Sequence, residues 1–123
     1  MIIGIGTDLI EVARVEKNIS KPKFLEKVFT KQELELCEHK QSRVQSLAAR
    51  FAAKEACMKA LGTGWSEGIS FKEIEILSNP SGAPVMVLHG RTKVFARELG
   101  VVSIYITLSH LREIASATVI LEK

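Results

Sequence analysis

Glu55 and Lys59 stand one helical turn apart in the stretch Arg50-Phe51-Ala52-Ala53-Lys54-Glu55-Ala56, which continues through Cys57 and Met58. At 100° per residue, Val44, Leu47, Ala48, Phe51, Met58 and Leu61 make one apolar arc, and Glu55 falls inside it. A carboxylate drawn out of water there needs an ion pair, hydrogen bonds or a metal to hold it. Lys59 lies beside Glu55 at one edge of the arc, and Arg50 and Lys54 lie at the opposite edge. The plain reading is a Glu55–Lys59 surface ion pair, worth roughly 0.2–0.5 kcal/mol. Ala48, Ala52 and Ala56 leave space around the charges, which favours a functional site over a bare pair.

A second carboxylate, Asp8, follows Gly4-Ile5-Gly6-Thr7. On a regular strand Ile2, Gly4, Gly6 and Asp8 share one face, and Ile3, Ile5 and Thr7 share the other. Two readings stay open. The glycines expose backbone to a ligand beside the carboxylate, or they allow close packing while Asp8 caps the next turn. They are no dinucleotide fingerprint, which needs a third glycine and a helix start. Gly62-Thr63-Gly64 stops a helix and offers backbone N–H groups near Lys59, of a kind that hold phosphate oxygens. Ser109-His110 ends a strand in which Ile104, Ile106 and Leu108 share the face of His110. A histidine there is either structural or half of a polar pair with Ser109.

The elements that position these groups follow from local signals. Ile2 to Leu9 reads as a strand, and Arg14 to Ile19 and Lys23 to Val28 as short helices broken apart by Pro22. Thr30-Lys31-Gln32-Glu33 has the spacing of a capping box, so a helix starts at Lys31 and runs to about His39. The long helix covers Arg43 to Leu61 and stops at Gly62. Phe71 to Ile76 alternates like a half-buried strand, Asn79-Pro80-Ser81-Gly82 is turn chemistry, and Pro84 to Leu88 is the return strand. Arg91 to Leu99 reads as a helix ended by Gly100, with strands at Val102 to Leu108 and Ala115 to Leu121. Early helices and late antiparallel strands predict an α+β fold.

The 123 residues suit one domain, 1–123, and the 46% apolar and 25% charged content is that of an ordinary globular protein. No apolar run is long enough to span a membrane and no signal peptide opens the chain, which predicts a cytoplasmic protein with no membrane partner. Cys37 and Cys57 form neither a disulfide framework nor a zinc pattern and read as reduced, partly buried thiols. The net charge of +3 is unevenly spread. Six basic residues face three acidic ones between Glu11 and Lys31, and five face only Glu55 between Lys40 and Lys59. Such a field favours an anionic partner. A small basic nucleic-acid-binding module is the rival reading. It leaves Asp8 and Glu55 unexplained and lacks interleaved aromatics.

Taken together, these segments resemble the holo-acyl-carrier-protein synthase family of small phosphopantetheinyl transferases. The resemblance rests on Gly4 to Glu11 with Arg14, on Val28-Phe29-Thr30 with Glu33-Leu34, and on Arg50 to Ala56 with Lys59 to Gly64. It resumes at Phe71 to Ile76, at Gly82 with Pro84, and at Ser109-His110. Ala83 departs from it: many members carry a basic residue between the glycine and the proline, and that charge contact is not carried over.

The resemblance implies a 4′-phosphopantetheinyl transferase-like fold, an antiparallel sheet packed with N-terminal helices and one long helix carrying the site. It implies transfer of phosphopantetheine from coenzyme A to a serine of acyl carrier protein, in fatty acid biosynthesis, with release of 3′,5′-ADP. Mg2+ would sit on Asp8 and Glu55, which suits its preference for oxygen ligands and few carboxylates. Glu55 and Lys59 are the expected catalytic residues, and the serine proton goes to Glu55 or to water on the metal. Arg14, Arg50, Lys54, Gly62, Thr63, Gly64, Ser109 and His110 are the expected substrate contacts, Arg14 meeting the acidic carrier protein. A homotrimer with active sites between subunits is expected, and no nucleic acid. Trp65 either packs at an interface or covers the helix end.

Overall fold

A computed structural model describes residues 1–63 and 68–123. The chain runs β1 (Ile2–Glu11), α1 (Val12–Ile19), α2 (Pro22–Val28), α3 (Lys31–Cys37), α4 (Arg43–Leu61), β2 (Ile74–Ser78), β3 (Pro84–Leu88), α5 (Gly90–Leu99), β4 (Ser103–His110) and β5 (Ile114–Glu122). β5 lies between β1 and β4 in an antiparallel three-stranded sheet, and β2 and β3 form a separate hairpin. This is the α+β architecture expected.

Most boundaries follow the sequence signals. The capping box is present in full: the Thr30 hydroxyl accepts from the Glu33 amide at 3.2 Å, and Glu33 Oε1 accepts from the Thr30 amide at 2.9 Å. Two expectations shift. Pro22 does not break between helices but occupies the first turn of α2, where its missing N–H would have had no helical partner. Phe71–Glu73 forms a 3-10 turn, and β2 begins only at Ile74.

α4 is the centre of the molecule. It packs across β1 and β5, and touches α1, α3, β2 and β4. Ser46 to Arg50, Ala52 to Lys54, Ala56 to Met58, Ala60 and Leu61 are all buried. A helix covered around most of its circumference shows no clean amphipathic arc. Val44, Phe51 and Glu55, half-buried, and Lys59, exposed, mark the least covered stripe. Glu55 is therefore half-buried at the edge of the cover over α4, less enclosed than the apolar arc expected from periodicity but still partly withdrawn from water.

β1 rests on α4 backbone to backbone. A Cβ on Gly4 would collide with the carbonyl oxygen of Ala60, and one on Gly6 with the carbonyl oxygen of Ala56. The two glycines thus serve close packing, and the alternative of an open backbone surface for a ligand is set aside. The opposite face of the sheet is uncovered, with Ile5 66% and Leu9 70% exposed on β1 and Tyr105 exposed on β4. The chain ends meet: the Met1 amino group donates to the Lys123 carbonyl at 3.0 Å, and the Lys123 amide to the Met1 carbonyl at 2.8 Å.

Candidate active site

Asp8 lies on the face of β1 that meets α4, two residues after Gly6, and its side chain is 17% exposed. Lys59 reaches across from α4 and donates to Asp8 Oδ1 at 3.2 Å and to the Thr7 carbonyl at 2.9 Å. The expected Glu55–Lys59 surface pair is therefore replaced by a bridge from helix to strand, and Lys59 acts on Glu55 only as a neighbouring charge. Burial pushes the Glu55 carboxyl above its ordinary range, and the negative charge of Asp8 pushes it further; Lys59 and Arg14 pull it down. The structure thus brings together Asp8, Glu55, Lys59 and Arg14.

Two carboxylates that repel each other beside a single bridging ammonium make an all-oxygen donor set for a hard divalent cation. Among the described residues there is no cluster of three or more His, Cys, Asp or Glu side chains. Two carboxylates leave most of an octahedral shell to water and phosphate oxygens, the usual arrangement for magnesium. The residues present fit that ion.

Other expected contacts sit elsewhere. Lys54 is fully buried, and its ammonium donates to Glu33 Oε1 at 2.9 Å, the Phe71 carbonyl at 2.9 Å and the Ile74 carbonyl at 2.6 Å. Those three bonds use its three N–H groups, so none remains for a substrate. Arg50 is buried too, with Nε on the Ile76 carbonyl at 3.1 Å and Nη1 on the Ser46 carbonyl at 3.4 Å. Both were expected to touch substrate; both hold α4 against β2 and its approach instead. The signal that marks them is a cation interleaved with small residues, Ala48, Ala49, Ala52, Ala53 and Ala56. Their burial also removes two charges from the basic stretch between Lys40 and Lys59.

Gly62 and Thr63 are corrected in the same sense. Gly62 takes a left-handed conformation, φ 78°, and its amide bonds back to the Lys59 carbonyl at 3.0 Å while that of Thr63 bonds to Met58 at 3.1 Å. These amides close α4 and are not open to phosphate. Gly64 and Trp65 fall outside the described residues. Ser109 and His110 are exposed at the end of β4. The register aligns His110 with Ala115 and Ile10, two strands from β1 and one row pair beyond Asp8, so neither residue touches the carboxylates within one chain. Two roughly 4.8 Å strand spacings separate them.

Comparison with known proteins gives one answer. The family model described as the 4′-phosphopantetheinyl transferase superfamily matches residues 4–117. The chain is 46% identical over 125 residues to the holo-[acyl-carrier-protein] synthase of Maridesulfovibrio salexigens, covering 100% of both. The crystal structure of the holo-[acyl-carrier-protein] synthase of Neisseria meningitidis superposes with a TM-score of 0.91 at 32% identity over 100% of both chains. That of Helicobacter pylori, in complex with coenzyme A, gives 0.83 at 36% identity over 96% of this chain and 99% of that one.

Proposed function

The chain belongs to the 4′-phosphopantetheinyl transferase superfamily, and from that membership we propose that it is a holo-[acyl-carrier-protein] synthase. It transfers 4′-phosphopantetheine from coenzyme A to a serine of apo acyl carrier protein, in support of fatty acid biosynthesis. The serine oxygen bonds to the β-phosphorus of coenzyme A, the bond from that phosphorus to the bridging oxygen breaks, and 3′,5′-ADP leaves. The observation that carries the reading is Asp8 and Glu55 set side by side with Lys59, in a chain alike to such synthases over its whole length.

Asp8 and Glu55 would hold magnesium, which when bound supplies charge neutralisation and orientation of the pyrophosphate. The residues of the chain do the rest. Glu55, beside Asp8 and Lys59, accepts the proton of the serine. Asp8 and the Thr7 carbonyl hold the Lys59 ammonium at the site, where it meets charge building on the phosphates. Incubating apo carrier protein with coenzyme A and magnesium should add the mass of phosphopantetheine, and EDTA should prevent it. No gain in mass would refute the assignment.

Arg14 and the exposed Lys17, Lys21, Lys23 and Lys27 make α1 and α2 the docking face for an acidic carrier protein. Arg14→Ala should raise the KM for carrier protein roughly fivefold, more so at low salt, with a smaller change for coenzyme A. An equal rise for both substrates contradicts a docking role.

The uncovered sheet face supports a homotrimer with active sites between subunits, an arrangement that accommodates the separation of Ser109 and His110 from the carboxylates. Ile5→Asp should reduce the mass measured by light scattering from three chains to one; an unchanged mass places the interface elsewhere. Nucleic acid and membrane are not among the partners, and the enzyme works in the cytoplasm. Reduced Cys37 and Cys57 agree with that compartment: both are buried, and burial pushes the Cys57 thiol up to about 12.

A further inference from the structure

Helix and sheet ordinarily keep a layer of side chains between them; at Gly4 and Gly6 β1 meets α4 without one. The atoms that a Gly6 Cβ would strike belong to the α4 backbone: the carbonyl oxygen of Ala56, and the amide nitrogen of Ala60 at 2.8 Å. No rotamer change relieves a clash with helix backbone, so any side chain at this position lifts the strand. Ala56 directly follows Glu55, and Gly6 is the residue before Asp8 on the same face of β1.

We propose that Gly6 is a positioning residue: its missing side chain seats β1 on α4 and so fixes the gap between the Asp8 and Glu55 carboxylates. The proposal rests on the reading of those two residues as a cation site. β1 transmits the setting because it is stiff between the two positions. Gly6 pairs with Val119 and Asp8 with Ala117, in an uninterrupted stretch of ladder. Two residues of strand span roughly 7 Å, too short to absorb a lift by bending.

Gly4 provides the contrast. It meets Ala60 nearly as closely as Gly6 meets Ala56, but it lies about 13 Å from Asp8. The β1–β5 ladder is already irregular between Ile2 and Gly4, where a displacement can end. If the glycines matter only for packing, the two positions respond alike. If Gly6 sets the carboxylate gap, only its substitution reaches the site, and a longer side chain at position 8 compensates.

The test uses five full-length proteins: wild type, Gly4→Ala, Gly6→Ala, Asp8→Glu, and Gly6→Ala with Asp8→Glu. Folding is followed by circular dichroism, Mn2+ affinity by calorimetry and transfer by mass spectrometry. Gly6→Ala should lose at least tenfold in Mn2+ affinity and in kcat/KM, and Gly4→Ala should stay within threefold of wild type in both. Asp8→Glu alone overreaches and loses at least tenfold; joined to Gly6→Ala it should recover to within threefold of wild type. Equal losses at the two glycines, or a double variant worse than either single one, overturn the proposal. Should Gly6→Ala not fold, Asp8→Glu decides: a loss supports a fixed gap, and wild-type behaviour overturns it. Wild type that takes up no Mn2+ sinks the cation reading instead, and the transfer rates then judge Gly6 by the same pattern.

Discussion

Glu55→Gln lowers phosphopantetheine transfer by about 10²–10⁴-fold, the range that a positioned acid–base group commands. The amide keeps the size of the side chain and removes both its basicity and its charge. The fold does not suffer. Glu55 stands on the least covered stripe of α4, and its carboxylate is opposed there by burial and by Asp8. Removing the charge relieves that repulsion, so the variant should resist urea at least as well as wild type. Loss of function with equal or greater stability is the mark of a residue kept for chemistry. Transfer within threefold of wild type would remove Glu55 from the mechanism.

The opposite outcome is expected one residue earlier. Lys54→Met leaves Glu33 charged and fully buried without its cation, and takes one donor each from the Phe71 and Ile74 carbonyls. Breaking a buried pair in this way costs about 3–5 kcal/mol. Glu33 also accepts from the Ile76 amide at 2.9 Å, so the loss spreads into β2 and the turn before it. Adding Glu33→Gln should restore part of the stability, because a neutral amide remains an acceptor without a stranded charge. Urea denaturation at fixed protein concentration reads both effects. A Lys54→Met protein within 1 kcal/mol of wild type would show that the pair contributes little, a threshold taken from weakly coupled surface pairs.

Neighbours in sequence, Lys54 and Glu55 thus divide between fold and function, and periodicity could not separate them. It assumes that a helix has one covered face. α4 is covered around most of its circumference, so its least covered stripe is defined by what is missing from the surrounding layers. Local signals fared better because their causes are local. The Thr30–Glu33 box and the left-handed stop at Gly62 involve atoms within a few residues, and both stand where the sequence put them. The bridge from Lys59 to Asp8 spans 51 positions and depends on two glycines that allow β1 and α4 to touch. Those glycines were visible and so was the helix, but not the contact between them. The same holds for Arg50, whose acceptor on β2 is brought close only by the fold.

The paired hydrogen bonds between Met1 and Lys123 close the chain into a near-ring. A linker of a few residues could join the two ends, and the exposed turn from Asn79 to Gly82, remote in sequence from Asp8 and Glu55, is a natural place to open new ones. In such a permuted chain β1 would follow β5 as the next strand of a continuous meander. The carboxylate pair would then depend on the same contact between β1 and α4, unaffected by which residue the ribosome makes first.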